Sequence, residues 1–230
     1  MKRTILSALI AASLCFTQAA YATPDQPTDV ASDQNYAPRL NYQAYFGDYL
    51  ALRKGRPADM IFIGDSITEQ WRWGTGSPVW KKYFEDRAFD FGLGADKTQH
   101  VLWRLQNIDL SFIAPKVAVI MIGTNNVQDT PADIATGVKA VIAGTQKKFP
   151  GIKIVLMSIL PNARANDKMA TANMLLKLMD DKKTIHYLDL AAQFTPEGDN
   201  WKGLSRDKLH LSTEGYEQWA QALTALIAKI

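Results

Sequence analysis

Thiols are almost missing from this chain. Of 230 residues one is cysteine, Cys15, and it sits in a stretch that reads as removable, so no disulfide framework is available. An exported protein of this size can do without one, because roughly 200 residues bury enough apolar surface on their own. Histidine is scarce too, with His100, His186 and His210 making three. None has metal-ligand spacing, and His210 to Glu214 reads as a helix entry rather than a ligand pair. The expectation is therefore no metal and no cofactor. Excess charge is small: 26 basic against 23 acidic residues give +3, which falls to 24 − 23 = +1 without Lys2 and Arg3. A nucleic-acid binder would show clustered excess base. Long hydrophobic runs are also lacking. The apolar stretch at residues 5–16 is too short for a permanent membrane span, and nothing later is longer, so stable membrane insertion is not expected.

What is present begins with an export signal. Lys2 and Arg3 precede the apolar stretch, and Ala20-Tyr21-Ala22 offers a small-residue cleavage site near Ala22. Leu14 stands before Cys15 where a lipoprotein signal wants a small residue. The mature protein is expected in the periplasm or outside the cell. Residues 23–36 read as a flexible leader. Residues 37–230 have the size of one domain.

Within that domain, apolar runs alternate with helical patterns. Strands are expected at 60–63, 89–93, 117–122, 154–160 and 185–190. Helices are expected from Leu40, from Ser77-Pro78, over 97–107, from Thr130-Pro131 to about Lys148, over 170–179, and after Ser212 or Thr213. Strands that alternate with helices imply a parallel sheet covered on both faces.

The chemistry-bearing residues sit where these runs break. Ser66 follows an apolar run that ends on Gly64-Asp65, and the carboxyl end of a strand is where open α/β sheets place working groups. Asp207 and His210 are three residues apart, close enough for the carboxylate to accept the imidazole Nδ1–H and leave Nε2 as base. Such a base must be neutral to take the serine's proton. Oxyanion donors are expected from two other strand ends, Phe91-Gly92-Leu93-Gly94-Ala95-Asp96 and Gly123-Thr124-Asn125-Asn126. Trp71, Trp73 and Trp201 flank the triad in sequence and are candidate substrate contacts, with Asp65 and Asn126. Trp80, Trp103 and Trp219 lie on helical stripes and read as core. His100 and His186 read as structural.

Gly64-Asp65-Ser66, Gly92-Leu93-Gly94-Ala95-Asp96, Gly123-Thr124-Asn125-Asn126 and Asp207-x-x-His210, in that order, resemble the SGNH (GDSL) hydrolases. The stretches from Thr98 to Leu105 and from Leu209 to Ser212, with Gly215-Tyr216, are similar more narrowly to the catalytic subunits of platelet-activating factor acetylhydrolase Ib. The resemblance runs from about Met60 to the last helix. It implies a three-layer α/β/α flavodoxin-like fold with a five-stranded parallel sheet in order 2-1-3-4-5, and metal-free ester hydrolysis through an acyl-serine. It makes Ser66 the nucleophile, Asp207 and His210 its partners, and Ser66, Ala95 and Asn125 the oxyanion hole. Two departures stand out. Ala95 replaces a usual glycine, at a cost of roughly 1 kcal/mol if the site needs positive φ. Asp90 stands where relatives often carry Asn.

The expected activity is exported hydrolysis of short acyl esters, acetyl first, of carbohydrate or another small molecule. The alternatives are a lipid esterase of the platelet-activating-factor kind, a sugar O-acyltransferase, and a non-catalytic binding module, against which the complete triad argues. A homodimer is compatible with the sequence, which does not specify oligomeric state.

Overall fold

The computed structural model describes residues 27–32, 40–194, 196–198 and 200–230. Residues 1–22, read above as an export signal, and positions 23–26 and 33–36 of the stretch read as a leader lie outside the described residues. Five parallel strands, β1 (Met60–Gly64), β2 (Ala88–Gly92), β3 (Val117–Met121), β4 (Lys153–Met157) and β5 (Ile185–Leu188), pair in the order β2-β1-β3-β4-β5. The register sets Gly64 beside Gly92 and Met121, so three strand ends reach one rim. This is the three-layer α/β/α arrangement that the sequence resemblance implied.

Burial explains why β1 and β3 are apolar without a break. Side chains alternate across the sheet. Ile61, Ile63, Phe89, Phe91, Ile120 and Leu156 enter one core, shared with α4 (Thr98–Asn107), α5 (Pro131–Lys148) and α6 (Asn166–Lys177). Phe46 of α1 (Leu40–Arg53) joins them. Met60, Phe62, Val119, Met121 and Met157 enter the other core, with α2 (Ser66–Trp73), α3 (Ser77–Tyr83) and α7 (Thr213–Ile227). Thr130 caps α5 by accepting from Asp133 N–H at 3.1 Å, and Ser212 caps α7 by accepting from Gly215 N–H at 3.2 Å.

Four expectations need correction. The expected elements leave residues 64–76 without a helix, whereas Ser66–Trp73 forms helix α2, with Asp65 as its cap. Helix α6 begins at Asn166 rather than at residue 170. Strands β4 and β5 end at Met157 and Leu188, and the apolar residues beyond them, Ile159, Leu160 and Leu190, stay buried without strand pairing. Residues 27–32, within the stretch read as a flexible leader, pack against the domain. Thr28 Oγ1 donates to Asp133 O at 2.6 Å, and Thr98 Oγ1 donates to Thr28 O at 2.7 Å. A polar segment can dock in this way when its hydrogen bonds replace those it made to water.

Helix α2 is the element that positions the site. It crosses the ends of β1 and β2 at backbone contact. A Cβ on Gly64 would collide with Thr68 Oγ1 and with Met121 O; one on Gly92 would collide with Glu69 N. Glycine is needed at both strand ends so that this helix can lie down.

Candidate active site

Ser66 is the first residue of α2. Asp65 Oδ1 accepts from Ile67 N–H at 2.9 Å, which caps the helix and leaves Ser66 at its positive end. From the far side of the rim comes the loop before α7. Ser205 N–H donates to His210 O at 2.7 Å, Ser205 Oγ to Leu211 O at 2.9 Å, and Ser212 N–H to Gly203 O at 2.9 Å. Those bonds deliver His210 to the serine. His210 Nε2 lies 2.9 Å from Ser66 Oγ, and His210 Nδ1 lies 2.6 Å from Asp207 Oδ2. Asp207 Oδ1 also accepts from the N–H groups of Leu209 and His210, each at 3.0 Å. Partial burial pushes the Asp207 carboxyl up, but the His210 ring and these two N–H groups outweigh it and hold it below the usual carboxylate range. An ionised carboxylate there fixes the tautomer that leaves Nε2 able to take a proton.

An open cavity of about 440 Å³ spreads in front of Ser66 and His210. Ala95, Asn125, Trp73, Glu69, Arg164 and Leu209 are among its walls. Ala95 has φ +57°, so the glycine departure falls at a left-handed position. Asn125 Nδ2 donates to Asp96 O at 3.0 Å, and Asn125 Oδ1 accepts from Arg164 Nη2 at 3.0 Å.

Two arginines, Arg104 buried and Arg72 partly buried, brace the loop that carries Ala95. Arg104 donates through Nε to Asp96 Oδ2 at 2.8 Å and through Nη1 to Phe91 O at 2.9 Å. Arg72 donates through Nε to Asp90 Oδ2 at 3.1 Å and through Nη2 to Gly92 O at 2.9 Å. This accounts for Asp90: its Oδ2 takes Arg72 while its Oδ1 accepts from Gly92 N–H at 2.7 Å. Burial pushes the Asp90 carboxyl up to about 7, against the pull of Arg72 and the Gly92 N–H. Burial likewise pushes Glu69 up, opposed by Arg72 and by hydrogen bonds from Gly94 and Trp73.

The structure thus brings Ser66, Asp207 and His210 together and sets Ala95, Asn125 and Trp73 around the same space. It withdraws four expected substrate contacts. Trp71 is 0% exposed, wedged among Phe62, Trp80, Phe84, Tyr216 and Trp219. Asp65 is buried as the helix cap, and burial pushes its carboxyl up to about 6. Asn126 is buried behind Asn125, where its Oδ1 accepts from Thr98 N–H and its Nδ2 donates to Gln99 and Asp129. Trp201 is half-buried against the α7 core, carries the Lys208 ammonium 5.7 Å from its ring centre, and is not among the residues that line the cavity. His100 is buried, with Nδ1 accepting from Lys97 N–H at 3.1 Å. Among the described residues no three His, Cys, Asp or Glu side chains converge as metal ligands. Also among them, no helix is long and apolar enough to cross a membrane.

The decisive comparison is with a family model for GDSL-like lipases and acylhydrolases, which matches residues 62–218. The chain belongs to this family. The GDSL hydrolase is 31% identical over 189 residues to platelet-activating factor acetylhydrolase IB subunit alpha1 of Rattus norvegicus, covering 79% of this chain and 80% of that one. It is 30% identical over 216 residues to subunit alpha2 of the same organism, covering 91% and 90%. Among solved structures, one assigned as an acylhydrolase from Bacteroides fragilis superposes with a TM-score of 0.66 at 22% identity. That match covers 82% of this chain and 96% of the other, and it speaks to the fold alone. The protein is a carboxylic ester hydrolase.

Proposed function

We propose that this GDSL hydrolase is an exported serine esterase that removes short acyl groups, acetyl first, from carbohydrate through an acyl-serine. The observation that carries the mechanism is the continuous line from Asp207 through His210 to Ser66 Oγ, with contacts of 2.6 and 2.9 Å. Ser66 Oγ attacks the ester carbonyl as His210 Nε2 takes its proton. The carbonyl oxygen becomes an oxyanion held by the Ser66 N–H, at the start of α2, and by the Asn125 amide. Ala95 borders the same space, at the position the resemblance gives to a third donor. The tetrahedral intermediate collapses, the C–O bond to the alcohol breaks, and His210 returns the proton to the leaving oxygen. Water then repeats the sequence on the acyl-serine and releases the acid.

Carbohydrate is favoured by the rim. Trp73 is 62% exposed beside the cavity, and Gln70 and Arg164 flank it. An exposed indole face with hydrogen-bonding neighbours suits a sugar ring. Export is favoured by Lys2, Arg3, the apolar stretch after them and Ala20-Tyr21-Ala22.

A second reading, a lipid esterase, is favoured by the relatives, which are named for acetyl hydrolysis of platelet-activating factor. One assay separates the two. Acid release is followed over acetylated saccharides, p-nitrophenyl esters of graded length, and a choline phospholipid with a 2-acetyl group. The carbohydrate reading expects fastest turnover on acetylated sugar and decline as the acyl chain lengthens. Inactivity on every sugar ester, with turnover of the phospholipid, would transfer the assignment to the lipid.

A further inference from the structure

We propose that Arg164 is a positioning residue that sets the Asn125 amide as an oxyanion donor; this rests on the reading of Asn125 above. Arg164 is exposed on the loop after β4, and no carboxylate pairs with it among the described residues. One of its terminal nitrogens does two things. Nη2 donates to Thr124 O at 3.0 Å and to Asn125 Oδ1 at 3.0 Å, so both its hydrogens grip the loop after β3.

The consequence follows from donor and acceptor types alone. A guanidinium only donates and a backbone carbonyl only accepts. Arg164 therefore fixes which end of the Asn125 amide is oxygen, and Asp96 O fixes which end is nitrogen. The flip that leaves many asparagines ambiguous is closed here. An amide nitrogen has two hydrogens, and Asp96 O takes one. The other remains for the substrate oxygen. Without Arg164 the amide keeps a single tether and can rotate about it. Polarisation adds to this, because a cation on Oδ1 draws density from the amide and strengthens its remaining N–H as a donor.

Arg164 is itself held. Asn162 Oδ1 accepts from Arg164 N–H and Ala165 N–H, each at 3.1 Å, and Asn162 is buried. Ala163 N–H donates to Lys208 O at 3.0 Å, so the loop that orients Asn125 also touches the loop that carries His210. Donor and base are registered to one another through the loop after β4, at Asn162–Ala165.

The test is a double-mutant cycle with p-nitrophenyl acetate, an uncharged ester that offers Arg164 no ion to bind. Asn125→Ala should lower kcat about 10²–10³-fold, as for loss of one oxyanion donor. Arg164→Met should lower kcat about 10- to 100-fold with little change in KM, since a loosened donor retains part of its effect. Placed on top of Asn125→Ala, Arg164→Met should add nothing, because its target is gone. Arg164→Lys should recover little, for an ammonium lacks the planar fork. Two results would overturn the inference while leaving Asn125 in place: full kcat in Arg164→Met, or losses that multiply in the double variant, as general loop damage would produce. Full activity in Asn125→Ala would instead remove the oxyanion assignment on which it stands.

Discussion

The two halves of the catalytic line are held by different physics. Ser66 sits on a helix clamped into the fold by burial. Ile67 and Trp71 of that helix are 1% and 0% exposed, and Tyr216 donates its hydroxyl to Ile67 O at 2.5 Å. Asp207 and His210 sit on a loop whose side chains are 49% and 21% exposed, held by turn hydrogen bonds and by each other. One half is positioned by packing, the other by polar contacts on a surface loop. Substitutions that loosen the first should damage the fold, and substitutions in the second should damage the chemistry alone.

The contrast is sharpened first by the largest effects. Ser66→Ala should cut turnover by about 10⁶-fold, a loss known for nucleophile removal in another serine hydrolase, with an unchanged melting midpoint. Asp207→Asn should cost about 10⁴-fold in kcat, because the ring loses its tautomer lock, again with no loss of fold. Steady-state kinetics beside circular-dichroism melts check both. Trp71→Ala should do the reverse. It should cost about 3–5 kcal/mol in urea unfolding while molecules that stay folded keep a triad. An equal loss of stability in Asp207→Asn would erase the distinction between the halves.

Smaller effects probe the brace beneath the nucleophile. The Asp90 carboxyl titrates near about 7 when folded, against about 4 when unfolded. Between those values the folded state binds more protons at this group, so its contribution to stability is full below about pH 4 and is lost as pH rises through about 7. Asp90→Asn should flatten that fall, read as urea midpoints at pH 5 and pH 8; Asp65, at about 6, leaves a remainder. Last, Ala95→Gly should raise stability by up to about 1 kcal/mol. Relief of the left-handed strain exceeds the entropy that glycine adds to the unfolded chain. A loss of stability there would mean the loop does not strain the alanine.

Much of the sheet was legible because both of its faces are covered, which turns β1 and β3 into unbroken apolar runs. Helix α2 was not, for it has eight residues, and Gly64-Asp65-Ser66, where the strand gives way to it, also reads as a turn. Missing it misplaced Trp71. At 100° per residue, Trp73 returns to the face of Ser66, as do Glu69 and Gln70, while Ile67 and Trp71 share the buried side. The triad could be read because strand ends and a short Asp207-to-His210 spacing leave a pattern in the chain. Arg164 leaves none. Its place depends on the loop after β4 approaching the loop after β3, and only tertiary packing brings that about.

The central claim is that Ser66 is activated as a nucleophile by His210. The most direct test is reaction with a fluorophosphonate followed by mass mapping of the adduct. The account predicts one covalent group per chain, on Ser66, absent in Ser66→Ala and formed far more slowly in His210→Ala. Labelling of a different residue with concurrent loss of activity, or an unlabelled Ser66 in inactivated protein, would contradict it.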